Sequence, residues 1–223
     1  MIVARFILVA LIGYLLGSIP FGLIVSKMQA KVDIRNYGSG RTGGTNVLRT
    51  LGRKAFVMVA AGDVLKAAVA VLLAGAIVGD GNLSMGNLNL GRLAAQSLAG
   101  LCAIMGHIFP VFAKFKGGRG VATFIGGLAV ISPVAALFGG EILIISAGLS
   151  GFASLGSITG VVSAYAIMIP LTVIYGVPIE YLYYVLIGAL IILIAHRDNI
   201  KRLLSGKERK LNQKAASRSG MAA

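Results

Sequence analysis

The sequence predicts an all-α membrane protein: seven transmembrane helices, the N-terminus outside and the C-terminus cytoplasmic. Three observations predict it. Mean hydropathy is +0.89, and 57% of the 223 residues are hydrophobic against 13% charged, too little polar surface to coat a soluble core of this size. The apolar residues fall in runs near the roughly 20 that a bilayer-crossing helix needs. The basic residues are confined almost entirely to the segments between those runs.

The first span covers Ile2–Val25. It carries only Arg5 ahead of its apolar stretch and lacks a small-x-small cleavage site, so it reads as a span and not a removable signal. A basic loop, Ser26–Arg53, leads to span two, Ala55–Val78. The segment Gly79–Arg92 is a polar loop. Span three is Leu93–Phe112, followed by the short basic loop Ala113–Gly120. Span four is Val121–Phe138, and a short, weak span five is Glu141–Ala153. A small loop SLGS, Ser154–Ser157, precedes span six, Gly160–Ile174. The Gly and Pro of YGVPIE make a turn before span seven, Tyr181–Ala195. Residues 1–211 form a single seven-span domain, and the polar, basic tail 212–223 is expected to be disordered.

Charge sets the orientation. Of 21 Lys and Arg, seven lie between Lys27 and Lys54, three between Lys114 and Arg119, and eight between Arg197 and Arg218. Seven spans place all three groups on one side, which the positive-inside rule makes cytoplasmic. Dropping the weak fifth span would move the basic tail to the other side. A net charge of +14 suits a nucleic-acid binder only if the cations are not segregated between apolar runs, so no nucleic-acid partner is expected. One cysteine, Cys102, excludes a disulfide framework, and His107 and His196 are too far apart to make a helical ligand pair. No metal and no cofactor are expected.

Three segments carry possible chemistry. YGSGRTGGTNVLRTLGRK (Tyr37–Lys54) gathers four glycines, the hydroxyls of Ser39, Thr42 and Thr45, and Asn46 ahead of a stretch holding Arg49. Glycines permit close backbone approach, a following helix start favours an anion, and Arg offers a bidentate contact. Its G-x-G-x-x-G spacing is not a dinucleotide fingerprint, because no strand precedes it and Asp63 falls inside a span. KGGRG places Lys116 and Arg119 among Gly117, Gly118 and Gly120, directly before an apolar helix, the composition of a phosphate cradle at headgroup level. HRDNIKRLLSGKE puts His196 and Asn199 on one helical face at the mouth of the bundle. The competing reading of all three is topogenic charge held by anionic lipid. Asp63 and Lys66, three apart in span two, read as a pair that neutralises itself and locks helices. His107 reads as a histidine satisfying a backbone carbonyl.

Together these residues resemble the bacterial acyl-phosphate:glycerol-3-phosphate acyltransferase family. The resemblance covers nearly the whole chain and rests on GYLLGSIPFG, SGRTGGTNVLRTLG, GDVLK, GHIFPVFAKFKGGRGVAT, SLGSITG and HRDNIKRLLSGKE in that order. It implies a phospholipid-biosynthesis enzyme of the bacterial cytoplasmic membrane with its active site on the cytoplasmic side. Its substrates are acyl phosphate and glycerol 3-phosphate, its products lysophosphatidic acid and phosphate. By motif match, Ser39, Arg49, His196 and Asn199 fall on residues needed for activity. Gly117, Gly118 and Gly120 fall on phosphate-binding glycines, Glu208 on a structural acid, and either Ser154 or Ser157 on a serine near the site. The chain departs from the usual pattern at Arg41, Gly44, Arg119 and Asp198, where the family commonly has Asn, Ala, Lys and Glu.

The donor is already activated, so the protein has mainly to position two anions and stabilise an oxyanion. Two proton acceptors fit, the substrate's own phosphate and His196. The H-x-x-x-x-D pair of thioester-dependent acyltransferases is absent, since Phe112 and Lys201 stand five residues after the two histidines. The alternative function is an anion or organophosphate transporter gated by the same loops.

Overall fold

The computed structural model describes residues 1–85 and 88–217. Helices dominate: α1 (Ile2–Gly17), α2 (Phe21–Ala30), α3 (Gly44–Leu51), α4 (Arg53–Val78), α5 (Arg92–Ile108), α6 (Val121–Ile131), α7 (Pro133–Ser150), α8 (Ala153–Val173), α9 (Ile179–Ala195) and α10 (Arg197–Leu204). A hairpin of β1 (Leu83–Met85) and β2 (Leu88–Leu90) caps one end of the bundle. The sequence predicts only a loop there.

Among the described residues, five apolar segments have the length and composition to cross a bilayer: Ile2–Ala30, Arg53–Val78, Arg92–Ala113, Pro133–Ser150 and Ala153–Val173. A sixth exists if α9 and α10, bent by 61°, are taken together, and α6 is apolar but only 11 residues long. Leu65, Leu72, Ile144, Leu149 and Val173 point outward from these helices, the apolar exterior that lipid covers and water would not.

Three boundaries differ from expectation, each for a local reason. Span one is broken at Ser18–Pro20, because proline cannot donate to the turn before it. The break expected between Phe138 and Glu141 lies instead at Ser132, extended at φ −149°, ψ 90°, with Pro133 starting α7. Proline biases the residue before it away from helix and is itself suited to the first helical turn. SLGS is not a loop but the first turns of α8: the Ser157 hydroxyl donates to Ala153 O (2.8 Å) and Thr159 to Leu155 O (3.0 Å), so polar side chains spend their donors inside the helix.

Small residues let the helices approach closely. A Cβ on Gly13 or Gly17 of α1 would strike the Ala99 or Ala103 backbone of α5, and one on Gly126 of α6 would strike the Val64 backbone of α4. Phe124 and Tyr184 stack at 5.6 Å in the centre, the Tyr184 hydroxyl donating to Phe124 O (2.8 Å).

Polar contacts identify two ends. At one, Arg5 reaches Val78 O, Ser97 donates to Glu180 O, and Tyr181 donates to Gln96. At the other lie the loops after α2 and α5, the α7–α8 turn, α10 and the tail. The tail from 212 is not free over its described part: Gly38 N–H donates to Ala216 O, Ala215 N–H donates to Arg49 O, and Tyr37 bridges to Ser217. Residues 218–223 of the tail lie outside the described residues.

Candidate active site

The first glycine loop is shaped from within by Asn46. Its buried amide donates to Ile34 O, Tyr37 O and Arg41 O and accepts from Ser39 N–H. Both polar ends are thus spent on main chain, so Asn46, which the sequence suggests as a substrate contact, braces the loop where it lines the cavity. Gly38 and Gly40 adopt left-handed backbone (φ 51° and 71°), which a side chain would strain. The turn ends at Gly43, where α3 begins and presents Gly44 and Thr45 to a cavity.

The second loop is built differently from a phosphate nest. Gly117 N–H donates to Ile108 O and Gly118 N–H to His107 O, so both are spent on main chain. These glycines are needed for space instead: a Cβ at 117 would meet His107 O, and one at 118 the His107 ring. Arg119 and the start of α6 line the cavity, with Gly120 (φ 85°) turning the chain and Val121 and Ala122 following it. Arg41 donates to Gly118 O (3.3 Å) and Arg35 to Ala113 O (3.0 Å), which ties the two loops together.

Three connected spaces result. A polar cavity of about 90 Å³ is lined by Ser39, Arg41, Thr45, Arg49, Arg119, Ser157 and His196, and also by Asp63 and His107. A second basic space, about 270 Å³, adds Asp198, Asn199, Arg202 and Glu208. A groove of about 550 Å³ is walled by Met105, Ile108, Phe109, Phe115, Ile191 and Ile194, with Lys116, Gly117 and Arg197 at its edge. Ser39 and Arg41 border all three. Lys116 therefore faces the groove and not the small cavity.

Glu208 organises the C-terminal side. It accepts from Ser154 (2.9 Å), Asn199 (2.7 Å) and Arg202 (2.7 Å). Ser154 is thereby committed, while Ser157 lines the cavity. Among the described residues, the Asn199 Oδ1 is buried with no hydrogen-bond partner, and so is Arg119 Nε. Arg49 is held by the tail, donating to Arg209 O (2.7 Å) and Lys210 O (3.1 Å).

Burial and the neighbouring Arg41 and Arg202 push Arg119 down to about 10, so it remains a cation at neutral pH. Burial lowers Arg41 and Arg49 in the same direction. His196 is pushed down to about 4, first by burial and then by Arg119. Its Nδ1 lies 2.8 Å from Ile192 O. A carbonyl only accepts, so Nδ1 carries the proton and Nε2 the lone pair.

Sequence reasoning gave Arg49, Ser39, Thr45, Arg119, His196 and Asn199 a common site, and the fold brings them together. It missed Arg41, noticed only as a departure from the family pattern, and Arg202, assigned to lipid. It also missed His107. That histidine does not satisfy a carbonyl: its Nδ1 lies 3.0 Å from Lys66 Nζ and 3.3 Å from Asp63 Oδ1. The G-D-V-L-K stretch was the available signal, since a buried charged pair on a span needs partners.

The profile of the family described as Glycerol-3-phosphate acyltransferase matches residues 7–206. A Glycerol-3-phosphate acyltransferase 3 of Dehalococcoides mccartyi (strain CBDB1) is 63% identical over 96% of this chain and 100% of its own length. A glycerol-3-phosphate acyltransferase of Thermoanaerobacter pseudethanolicus is 42% identical over 93% and 96%. Among solved structures, PlsY (YgiH), an integral membrane glycerol 3-phosphate acyltransferase in its glycerol 3-phosphate form, superposes with a TM-score of 0.79. It is 36% identical, with 92% of this chain and 94% of that chain covered. Its lysophosphatidic acid form gives 0.78 at 35% identity.

Proposed function

Because this chain belongs to the glycerol-3-phosphate acyltransferase family, we propose that it moves an acyl chain from acyl phosphate to the 1-hydroxyl of glycerol 3-phosphate. The acyl carbon–oxygen bond to phosphate breaks, a bond to the glycerol oxygen forms, and lysophosphatidic acid and inorganic phosphate leave. One observation carries this reading. The basic spaces hold an unspent buried donor, Arg119 Nε, and an unspent buried acceptor, Asn199 Oδ1. An acceptor that carries both phosphate and hydroxyl satisfies both, whereas a bare anion satisfies only the first.

The apolar groove takes the acyl chain, with its phosphate head at Ser39, Arg41 and Lys116. Glycerol 3-phosphate enters the basic space beside Arg49, Arg119 and Asn199. The reacting carbon then sits where Ser39 and Arg41 border all three spaces. His196 stays neutral and accepts at Nε2 from the glycerol 2-hydroxyl, which orients the acceptor and leaves the proton of the 1-hydroxyl free to transfer. A nitrogen depressed to about 4 is a poor proton acceptor near neutrality. The proton accordingly passes to substrate phosphate.

Seven crossings fit the alternation of helix ends, with α6 the shortest. The site end then faces the cytoplasm of a bacterial cytoplasmic membrane, where the basic loops belong. The organophosphate-transport alternative needs a polar path between the two ends. The charged spanning residues Asp63 and Lys66 are instead committed to each other at 2.7 Å.

The test is purified protein in detergent with synthetic acyl phosphate and labelled glycerol 3-phosphate. Lysophosphatidic acid is the expected product with acyl phosphate and not with acyl-CoA. No product from acyl phosphate refutes the enzyme reading, and equal product from acyl-CoA refutes the donor.

A further inference from the structure

We propose that Asp63, Lys66 and His107 act as one positioning unit that sets the second glycine loop, and with it Arg119, against the reacting groups. This rests on the active-site reading above. All three side chains are buried, at 2%, 4% and 6% exposure, and through Lys66 they join three structural elements. Lys66 Nζ donates to Ile19 O (3.0 Å) at the α1–α2 break. It pairs with Asp63 (2.7 Å) on its own helix, α4, and lies 3.0 Å from His107 Nδ1 at the end of α5.

His107 then works on the loop from two sides. Its carbonyl accepts Gly118 N–H (3.1 Å). The edge of its ring bearing Nε2 fills the space where a side chain at 118 would stand. The imidazole is fixed at its inner nitrogen by the ion pair and presses its outer edge against the loop one residue before Arg119. Asp63 and His107 also line the polar cavity, so the unit borders the proposed site.

A purely structural role is a poor reason to keep such a cluster. Replacing a buried ion pair with apolar residues of similar volume is often neutral or stabilising. A positional role needs the charges themselves, because only they hold the imidazole in one orientation.

The first variant is therefore the double substitution Asp63→Leu with Lys66→Met. Its thermal midpoint in detergent is expected to stay within about 4 °C of the parent. Its kcat with acyl phosphate is expected to fall about 100-fold, the cost of a displacement on the order of 1 Å. A kcat within twofold of the parent overturns the proposal. The second experiment is a cycle of Gly118→Ala with His107→Ala, read on thermal midpoint and on turnover. Gly118→Ala alone strikes the ring and lowers both. In the His107→Ala background the added methyl has room, so it is expected to cost less than a third as much midpoint. Equal loss in both backgrounds overturns the buttress, even if the first variant does not fold. Parent turnover measured alongside separates the outcomes. An inactive parent refutes the enzyme reading, while an active parent with an unaffected double variant refutes only the positioning unit.

Discussion

At the scale of single residues, each polar side chain near the site divides its atoms between the protein and the open space. Arg49 serves both: its fork is on tail carbonyls and its side chain lines the cavity. Arg49→Ala is expected to abolish turnover with folded protein retained on size exclusion. Arg49→Lys should recover only a small part, because a single ammonium lacks the fork. The two serines separate in the same way. Ser157→Ala removes a cavity hydroxyl and should alter KM or kcat with little change in midpoint. Ser154→Ala leaves Glu208 one donor short and should lower midpoint, by about 1–3 kcal/mol of stability, before it lowers kcat. His196 makes a pH prediction. Its folded value of about 4 lies below its ordinary 6.5, so between those values the unfolded chain binds the proton first and stability falls as pH falls. The midpoint of the parent should drop across that window and that of His196→Gln should drop less. A kcat profile with no His196 inflection near 6.5 is expected, and near-full turnover of His196→Gln at saturating substrate excludes a base role.

At the scale of elements, the apolar runs and charge clusters were legible because a bilayer imposes both. What the sequence hid was where helices stop. Hydropathy is blind to Ser132–Pro133, which divides α6 from α7, and it reads SLGS as a gap although the Ser157 hydroxyl is satisfied inside α8 and that of Ser154 by Glu208. Composition reads KGGRG as a phosphate cradle, whereas the loop borders the cavity and the groove with its Gly117 and Gly118 N–H groups spent on main chain. Glycine at 117 and 118 provides room for the Ile108–Pro110 chain and the His107 ring, a tertiary fact with no local signature. Asn46 is similar, since nothing in its neighbours reveals that Ile34 O will be within reach. The α7–α8 hairpin gives a test. A Cβ on Gly160 would meet Leu143 and Gly139, so Gly160→Val should destabilise by about 1–3 kcal/mol through overpacking, read as a lower thermal midpoint.

For the whole molecule, the placement of loops at one end makes membrane orientation and chemistry a single property. In a Cys102→Ser background, a cysteine at Ser205 is expected to react with an impermeant thiol reagent in inverted vesicles and not in intact cells. The reverse pattern would refute the assigned orientation. The contacts around Arg49 also bear on the order of biosynthesis. Its guanidinium meets main chain 160 and 161 residues further on, and Glu208 closes onto Ser154, Asn199 and Arg202 only after α10 has been made. A nascent chain leaves the ribosome from its N-terminus, so the glycine loops and every apolar segment exist before the acid that fastens them. The enzyme is thus inserted as an open basic cleft, and the last dozen or so described residues complete it. A chain terminated after Leu204 should enter the membrane normally and remain without turnover.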